Sequence, residues 1–249
     1  MSFAVAAEAY DRFMGRYSLL LAPQLADFAD VSAGQLALDV GCGTGALTAE
    51  LARRLGPESV TAIDPSEPFV AAVRERHPDV SARVGRGEEL PFENEAFDAV
   101  LAQLSINFMR DLPQGLAEMA RVARPGGIIA LGDWVSWHDN PLRAFGRSIP
   151  ASDRPYRLRR RPTRKAYAKV FRELGLRDVE RRRLRATVHY ESFDDWWLPL
   201  TEGVGPSATY AKSLDGDARA RLRERCETQL SAGPFVIEAV AVATRAIVS

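Results

Sequence analysis

The chain has 249 residues, of which 46% are hydrophobic, and this is enough for one domain with a large buried core. Lysine plus arginine and aspartate plus glutamate each number 33, so the overall charge gives no reason to expect a nucleic-acid or membrane partner. The amino-terminal sequence lacks a basic leader, and two cysteines are too few for a disulfide framework or a metal cluster. We therefore expect a cytoplasmic protein with two free thiols and no metal site.

The first half of the chain alternates between strand and helix patterns. Apolar residues at helical spacing over 7–30, interrupted by Pro23, predict two short helices. Strands are then predicted over 36–40, 60–63, 80–84, 99–103 and 128–131. Further helices are predicted over 46–55, 67–77, where Ser66 is the cap, and 112–122, before a turn at 124–127. Strands and helices that alternate with short links predict a parallel sheet covered on both faces.

This alternation ends after Trp134. Residues 136–162 are rich in arginine and proline and are interpreted as an insertion or lid, after which Thr163 is expected to cap a helix that Gly175 ends. The remaining predicted elements are a strand over 179–190, a polar helix over 215–230 and a closing strand over 235–248. We expect a single domain over 1–249, with a helical cap at 1–35, a cofactor-binding core at 36–134, and lid or substrate segments at 135–175 and 191–232.

The glycine-rich run DVGCGTG directly after the first strand is the most informative segment. Gly41, Gly43 and Gly45 occupy alternate positions between a predicted strand and a predicted helix, and Cys42 sits where a small side chain is required. Glycine adopts positive φ and lets a ligand approach the backbone closely, while the helix that follows points unpaired N–H groups at it. The run therefore predicts a nucleotide-type cofactor lying against the backbone.

The second predicted strand ends in a carboxylate. In a doubly wound sheet, ligands lie beyond the carboxyl ends of the strands, where the strand order reverses. Asp64 follows that strand, nineteen positions after Gly45, and a carboxylate there can accept hydrogen bonds from ribose hydroxyls. The alternative is an aspartate that only caps a helix or stabilises a turn.

Four segments, DVGCGTG, AID, GEELPFENEAFDAV and RVARPGG, give residues 36–134 a specific resemblance to class I S-adenosyl-L-methionine-dependent methyltransferases, nearest the type 11-like small-molecule group. The segment YDRFMGR at 10–16 is similar to the lead-in of many members. The resemblance implies an α/β, doubly wound Rossmann-like sheet of seven strands with an antiparallel last strand, N-terminal helices and lid insertions. It also implies methyl transfer from S-adenosyl-L-methionine to an oxygen, nitrogen or carbon atom of a small molecule. Beyond Trp134 the resemblance is only architectural.

The resemblance also implies roles for individual residues. Asp39 would face the methionine amino group, the loop from Gly41 to Gly45 would pass beneath the cofactor, and Asp64 would hold the ribose. Glu88 would lie near the adenine. The cofactor-binding set implied in this way is Tyr10, Arg16, Asp39, Gly41, Cys42, Gly43, Gly45, Asp64, Pro65, Ser66, Gly87, Glu88, Gln103 and Leu104.

Within this set, Tyr10 and Arg16 are expected to close over the methionine end, because a guanidinium can pair with its carboxylate. The alternative is a surface arginine and a core tyrosine. Gln103 and Leu104 would lie beside the sulfonium and the entering acceptor. Arg86 departs from the family pattern, since members often carry an aspartate there that pairs with the adenine amino group. A guanidinium has donors only. Either Arg86 turns outward, leaving the adenine to Glu88 and backbone groups, or affinity for the cofactor is reduced.

Three other functions stay open at this point. Residues 41–46 also satisfy the dinucleotide pattern of an NAD(P)-dependent oxidoreductase, although the chain lacks a Tyr-x-x-x-Lys pair. Residues 143–185 carry sixteen Arg or Lys against four acids, which could seat RNA for methylation. A protein that binds the cofactor without turnover is the third alternative.

The acceptor side offers weaker signals. A general base would help a hydroxyl acceptor, and His138 after the fifth strand is the one histidine we consider, because His77 ends a surface helix and His189 is expected to face away. All four tryptophans, Trp134, Trp137, Trp196 and Trp197, follow the cofactor segment and suggest an aromatic acceptor pocket. Core packing explains at least two of them equally well.

Overall fold

The computed structural model describes residues 3–134, 140–150, 153, 164–203, 206–231 and 233–249. Within these ranges the chain forms one seven-stranded sheet. Its strands are β1 (Ala37–Val40), β2 (Val60–Asp64), β3 (Ser81–Val84), β4 (Phe97–Gln103), β5 (Ala123–Asp133), β6 (Arg177–Tyr190) and β7 (Phe235–Ile247). The strand order is β3-β2-β1-β4-β5-β7-β6, and β7 runs antiparallel to both of its neighbours. This confirms the predicted doubly wound α/β sheet with an antiparallel last strand.

The helices cover both faces of this sheet. They are α1 (Phe3–Tyr10), α2 (Arg16–Phe28), α3 (Ala46–Leu55), α4 (Glu67–Arg76), α5 (Leu112–Val122), α6 (Arg143–Ser148), α7 (Arg164–Glu173), α8 (Phe193–Glu202), α9 (Pro206–Ser213) and α10 (Gly216–Glu227). Helices α2 and α3 pack into one hydrophobic core, and α5 and α7 pack into a second on the other face. The predicted bounds of α3 and α5 match those observed.

The amino-terminal helices differ from the prediction. Pro23 lies inside α2 instead of ending a helix. Proline cannot donate the hydrogen bond to the carbonyl of Leu19, four residues earlier, and the helix continues because the packing of α2 in the core outweighs this loss. The irregularity falls earlier, at the π-helical turn Asp11–Gly15 between α1 and α2. Such turns are frequent at functional sites.

Two local predictions need correction. The turn expected at 124–127 lies inside β5, which begins at Ala123 and shifts register against β4 between Phe97 and Ala99. Gly126 has φ +78° and donates its N–H to Val248, so this kink bends the strand without ending it. Ser66 does precede α4, but within the described residues its side chain makes no capping hydrogen bond.

The distal part of the chain contains more helix than predicted. Strands β6 and β7 match the predictions over 179–190 and 235–248 to within two residues, and Asp215 caps α10 through a bond from Ala218. Helices α8 and α9 fall in the segment expected to be a lid. Helix α6 was not predicted. The expected cap Thr163 lies outside the described residues, whereas Gly175, with φ +74°, follows the end of α7 as predicted.

None of the helices in the described ranges is long and apolar enough to cross a membrane.

Candidate functional site

The glycine loop after β1 adopts the backbone that its sequence predicts. Gly41, Gly43 and Gly45 have φ of +74°, +54° and +95°, a region that side-chain-bearing residues rarely occupy. A Cβ on Gly41 would lie 2.3 Å from the Cβ of Ser105. The N–H groups of Gly41 and Cys42 donate to the carbonyl of Ile63 at 2.7 and 3.1 Å, so the loop is held against β2.

Asp64 fixes the same loop from the end of β2. One carboxylate oxygen accepts the N–H of Gly43 at 3.0 Å, and the other accepts the N–H of Ser66 at 2.9 Å. Burial raises the pKa of Asp64, and the two backbone donors oppose that rise. Each oxygen keeps a second lone pair, so the carboxylate is oriented and can still accept from a ligand. Pro65 connects Asp64 to Ser66 in this turn.

Two buried oxygen atoms at adjacent strand ends are left without a donor from the part of the chain that the structure describes. They are Oδ1 of Asp39 on β1 and Oε1 of Gln103 on β4. The second oxygen of Asp39 accepts the Thr48 hydroxyl at 2.7 Å, and the Gln103 amide donates to the Ser18 carbonyl at 2.9 Å. Burial raises the pKa of Asp39 to about 7, with the charge of Asp64 adding to it. These oxygens suit a ligand that brings hydrogen-bond donors or positive charge.

The amino-terminal segment lies over the glycine loop. A Cβ on Gly43 would lie 3.9 Å from the Tyr10 ring, and burial raises the pKa of Tyr10 to about 12. Asp11 accepts the Thr44 hydroxyl at 2.5 Å and pairs with Arg76 at 2.7 Å. The sequence analysis missed this role of Asp11, which ties the π-helical turn to the loop.

Arg16 contacts a different partner. Its guanidinium makes a bidentate pair with Asp195 of α8, at 2.9 and 2.5 Å, and lies 5.0 Å from the centroid of the Tyr190 ring. The Tyr190 hydroxyl in turn lies 3.0 Å from that of Tyr17. Arg16 therefore joins α2 to the distal helices. The predicted contact with the methionine carboxylate stays a prediction, and it now requires that Asp195 share the guanidinium.

The loop after β3 shows how Arg86 is accommodated. The Arg86 side chain is 44% exposed and lies 3.8 Å from the carboxylate of Glu88. Glu88 also accepts the backbone N–H of Arg110 at 2.5 Å, which leaves its carboxylate engaged on two sides. A Cβ on Gly87 would lie 2.3 Å from the terminal methyl group of Met109, so a side chain here would require Met109 to shift. The outward orientation considered for Arg86 fits these contacts.

Leu104 holds a strained backbone at the end of β4. Its φ of +56° is uncommon for any residue with a Cβ, and its N–H donates to Gly132 at 2.7 Å. The next residue, Ser105, donates its hydroxyl to the Val40 carbonyl at 2.7 Å. The turn therefore closes the gap between β1 and β4 next to the glycine loop.

A buried polar cluster at the end of β5 was missed by the sequence analysis. Asp133 is 1% exposed and accepts hydrogen bonds from the Tyr167 hydroxyl at 2.7 Å, from the Asn107 amide and from the Trp134 N–H at 2.7 Å. The one available signal was Asp133 itself, which ends the fifth strand much as Asp64 ends the second. Nothing in the sequence pairs it with Tyr167 on α7, because that contact spans 34 residues.

The structure describes three of the four tryptophans and two of the three histidines. Trp134, Trp196 and Trp197 are each 3% exposed or less and belong to the hydrophobic core, as the packing alternative held. His189 lies on the exposed side of β6, as expected, and His77 follows α4 close to Gly45. Trp137 and His138 lie outside the described residues.

Comparison with known proteins agrees with this geometry. Residues 38–131 match the sequence model of a family described as a methyltransferase domain. The chain is 36% identical over 153 residues to the nocamycin O-methyltransferase of Saccharothrix syringae, covering 54% of this chain and 55% of that protein. It is 38% identical over 105 residues to the demethylmenaquinone methyltransferase of Corynebacterium glutamicum strain R, covering 42% of this chain and 44% of that one.

The matched part thus spans about half the length of these curated relatives. The fold resembles that of a solved S-adenosylmethionine-dependent methyltransferase from Thermotoga maritima, with a TM-score of 0.57 at 18% identity over 97% of this chain and 99% of that one. Over residues 38–131 the chain is therefore similar to a methyltransferase domain, and over nearly its whole length its fold is similar to that of a solved methyltransferase.

Proposed function

We propose that the protein transfers the methyl group of S-adenosyl-L-methionine to a small-molecule acceptor. The observation that carries this proposal is the pair of unsatisfied acceptor oxygens, on Asp39 and Gln103, beside a glycine loop with positive φ. A positively charged sulfonium and an ammonium group are well matched to such a site. The family match over 38–131 supports the same assignment.

Each residue of the crevice has a proposed task. Asp39 binds the methionine amino group, because its free oxygen is buried and its carboxylate is held by Thr48. The bare backbone from Gly41 to Gly45, with Cys42 as its small residue, lies beneath the cofactor. Asp64 accepts the ribose hydroxyls while Pro65 and Ser66 complete its turn.

The remaining proposed contacts close the site. Glu88 and the backbone around Gly87 bind the adenine edge, and Tyr10 covers the loop from above. Gln103 and Leu104 border the position of the transferred group, at the end of β4. Arg16 binds the methionine carboxylate only if its guanidinium is shared between that carboxylate and Asp195.

S-adenosylmethionine, when bound, supplies a methyl group that its positively charged sulfur has already activated. The task of the protein is therefore to place an acceptor lone pair about 3 to 3.5 Å from that group and in line with the breaking bond. Relatives named for O-methylation and for demethylmenaquinone methylation support a small organic acceptor. A base is required only where the acceptor must lose a proton.

Calorimetric titration with S-adenosylmethionine, S-adenosylhomocysteine and NAD tests the cofactor. We expect micromolar-range binding of the first two and none of NAD, and the reverse would favour an oxidoreductase. Methyl uptake from labelled cofactor into fractionated small-molecule extracts then tests the reaction. Cofactor binding without methylation of any fraction would favour a non-catalytic protein. Methylation confined to RNA would overturn the acceptor class.

A further inference from the structure

Strands β6 and β7 extend well past the rest of the sheet. The last pair between β5 and β7 is Asp133 with Val242, and Val242 also pairs with Arg183. Residues 184–190 and 235–241 therefore continue as a two-stranded arm of seven residue pairs. At about 3.3 Å per residue the arm projects roughly 20 Å beyond the carboxyl end of β5.

One face of this arm borders a cleft of about 520 Å³, closed on its other sides by α6 and the end of α10. Such a volume is typical of small-molecule sites, which measure about 300–1,000 Å³. None of the residues proposed for the cofactor lines it. The cleft is therefore separate from the glycine-loop crevice.

Four arginines line the cleft. Arg143 and Arg147 are four residues apart on α6, and Arg183 and Arg185 are two residues apart on β6, so each pair presents its charges on one face. Among the lining residues that the structure describes, Glu238 is the one acid. Arg143, Arg147 and Arg183 each make a further interaction, so an anion placed between the two pairs would share these three guanidinium groups and bind Arg185 most directly.

The walls of the cleft are also apolar. Val236, Ile237 and Val240 of β7 and Leu230 after α10 contribute to the lining, and Val236 is 48% exposed. Apolar surface of this kind favours a ligand that carries a hydrocarbon or aromatic body as well as its charge. A simple inorganic anion would leave the exposed part of Val236 in water.

Arg185 is held in place from the opposite side. Its backbone N–H donates to the Gln24 side chain at 3.0 Å, and its carbonyl accepts from the same amide at 2.8 Å. The side chain of Arg185 has no ion pair with any residue in the described ranges. A fixed backbone with an uncommitted guanidinium is a suitable anion receptor, because little ordering is left to be done on binding.

We propose that this cleft is a second binding site, for an amphipathic organic anion. The arginines bind the carboxylate or phosphate group, and the apolar wall of β7 binds the body of the ligand. Carboxylates and phosphates share this chemistry, so the test below separates them.

Fluorescence titration with 8-anilino-1-naphthalenesulfonate tests the site, with octanoate, octyl phosphate and octanol as competitors. We expect at least one of the two anions to displace the dye, and octanol not to displace it. In the Arg147→Gln/Arg185→Gln variant, dye affinity should fall at least ten-fold. The matched control is Arg177→Gln/Arg181→Gln, which removes the same charge from two positions of β6 outside the cleft.

Equal dye affinity in the cleft variant and the control would overturn the proposal, as would displacement by octanol as effective as by the anions. Preferential displacement by octanoate or by octyl phosphate identifies the head group. The substituted side chains are exposed, so thermal unfolding should be unchanged within a few degrees. Titration of the same variants with S-adenosylmethionine keeps this proposal separate from the proposed function, because either can fail alone.

Discussion

The half of this protein that contains the glycine loop and the distal half use their residues in different ways. Between β1 and β5 the strands near the crevice are short and parallel, and the loop that follows β1 presents backbone with positive φ. Beyond β5 the sheet is completed by strands of 14 and 13 residues, and aromatic side chains fill the core. In the first half, the backbone geometry of the glycine loop shapes the proposed cofactor crevice. In the second half, the packing of aromatic side chains shapes the core.

This difference explains where sequence similarity ends. The family match stops at residue 131, whereas the structural likeness to the Thermotoga maritima enzyme covers 97% of the chain at 18% identity. A backbone position with φ near +74° accepts few residues other than glycine, so few amino-acid sequences are compatible with such a loop. A packed core accepts many combinations of apolar side chains of similar volume. Five variants or conditions test the comparison.

The largest expected effect is at Gly41. In Gly41→Ala the new Cβ would overlap Ser105, 2.3 Å away, on a backbone with φ +74°, so we expect no measurable S-adenosylmethionine binding by calorimetry. The matched control is Gly34→Ala, with φ +91° but nothing within 4 Å of the new atom. It should cost roughly 1–2 kcal/mol of unfolding free energy and leave binding intact. Cofactor binding by Gly41→Ala would contradict the backbone argument.

Trp196 tests the distal half. It is fully buried, and Trp196→Ala should lower the free energy of unfolding by about 3–5 kcal/mol, measured by denaturant titration. Cofactor affinity, measured at low temperature on the folded fraction, should change less than two-fold. Leu198→Ala on the same helix is the control, because Leu198 is 42% exposed. A selective loss of acceptor turnover with normal stability would restore Trp196 to an acceptor pocket.

Asp64→Asn replaces a carboxylate that accepts two backbone N–H groups and, in the proposed complex, also accepts the ribose hydroxyls. The amide nitrogen would face either Gly43 or Ser66, both N–H donors, so we expect roughly 100-fold weaker S-adenosylmethionine binding by calorimetry. Asp98→Asn is matched, because Asp98 also accepts a backbone N–H, from Leu36 at 2.7 Å. Both variants should lose stability. An equal loss of affinity in both would show that Asp64 acts only through the fold.

The pKa of Asp39, about 7, predicts two pH dependences. A bound ammonium favours the ionised carboxylate, so affinity for S-adenosylmethionine should be roughly eight-fold weaker at about pH 6 than at about pH 7.5. Without ligand, Asp39 in the folded state keeps its proton up to about pH 7, whereas in the unfolded state it loses this proton near pH 4. The folded state therefore binds more protons between about pH 4 and 7, and its stability should fall as pH rises through that window.

Asp39→Asn is the control for both effects, because an asparagine does not titrate. Its affinity should be low and flat with pH, and the fall in stability between about pH 4 and 7 should be reduced. A wild-type affinity that is independent of pH over this range would contradict the proposed contact between Asp39 and the amino group.

The smallest effect concerns the pair that joins the two halves. Arg16→Gln and Asp195→Asn should each lower the free energy of unfolding by roughly 0.5–1 kcal/mol, because both side chains are partly exposed. The double variant should cost little more than either single one, as measured by denaturant titration. If only Arg16→Gln weakens cofactor binding, the contact with the methionine carboxylate is supported. Unchanged binding in both variants limits Arg16 to its structural role.

The sequence by itself determined the elements whose patterns are local. The glycine run, the carboxylate at Asp64 and the helices over 46–55 and 112–122 follow from conformational preference and periodicity within a few residues. The orientation of Asp64 toward Gly43, and the orphaned oxygen of Asp39, came only from the structure. Periodicity shows that a residue is buried but does not show which donors reach it.

Only the tertiary structure decided the long-range contacts. Arg16 pairs with a residue 179 positions away, Tyr167 reaches Asp133 across 34, and the arginine cleft brings α6 beside β6 and β7. The helix continued through Pro23 because tertiary packing overrode a local signal. Local sequence fixes dihedral preferences over one or two turns, whereas these contacts depend on how the strands are ordered in the sheet, which no short pattern encodes.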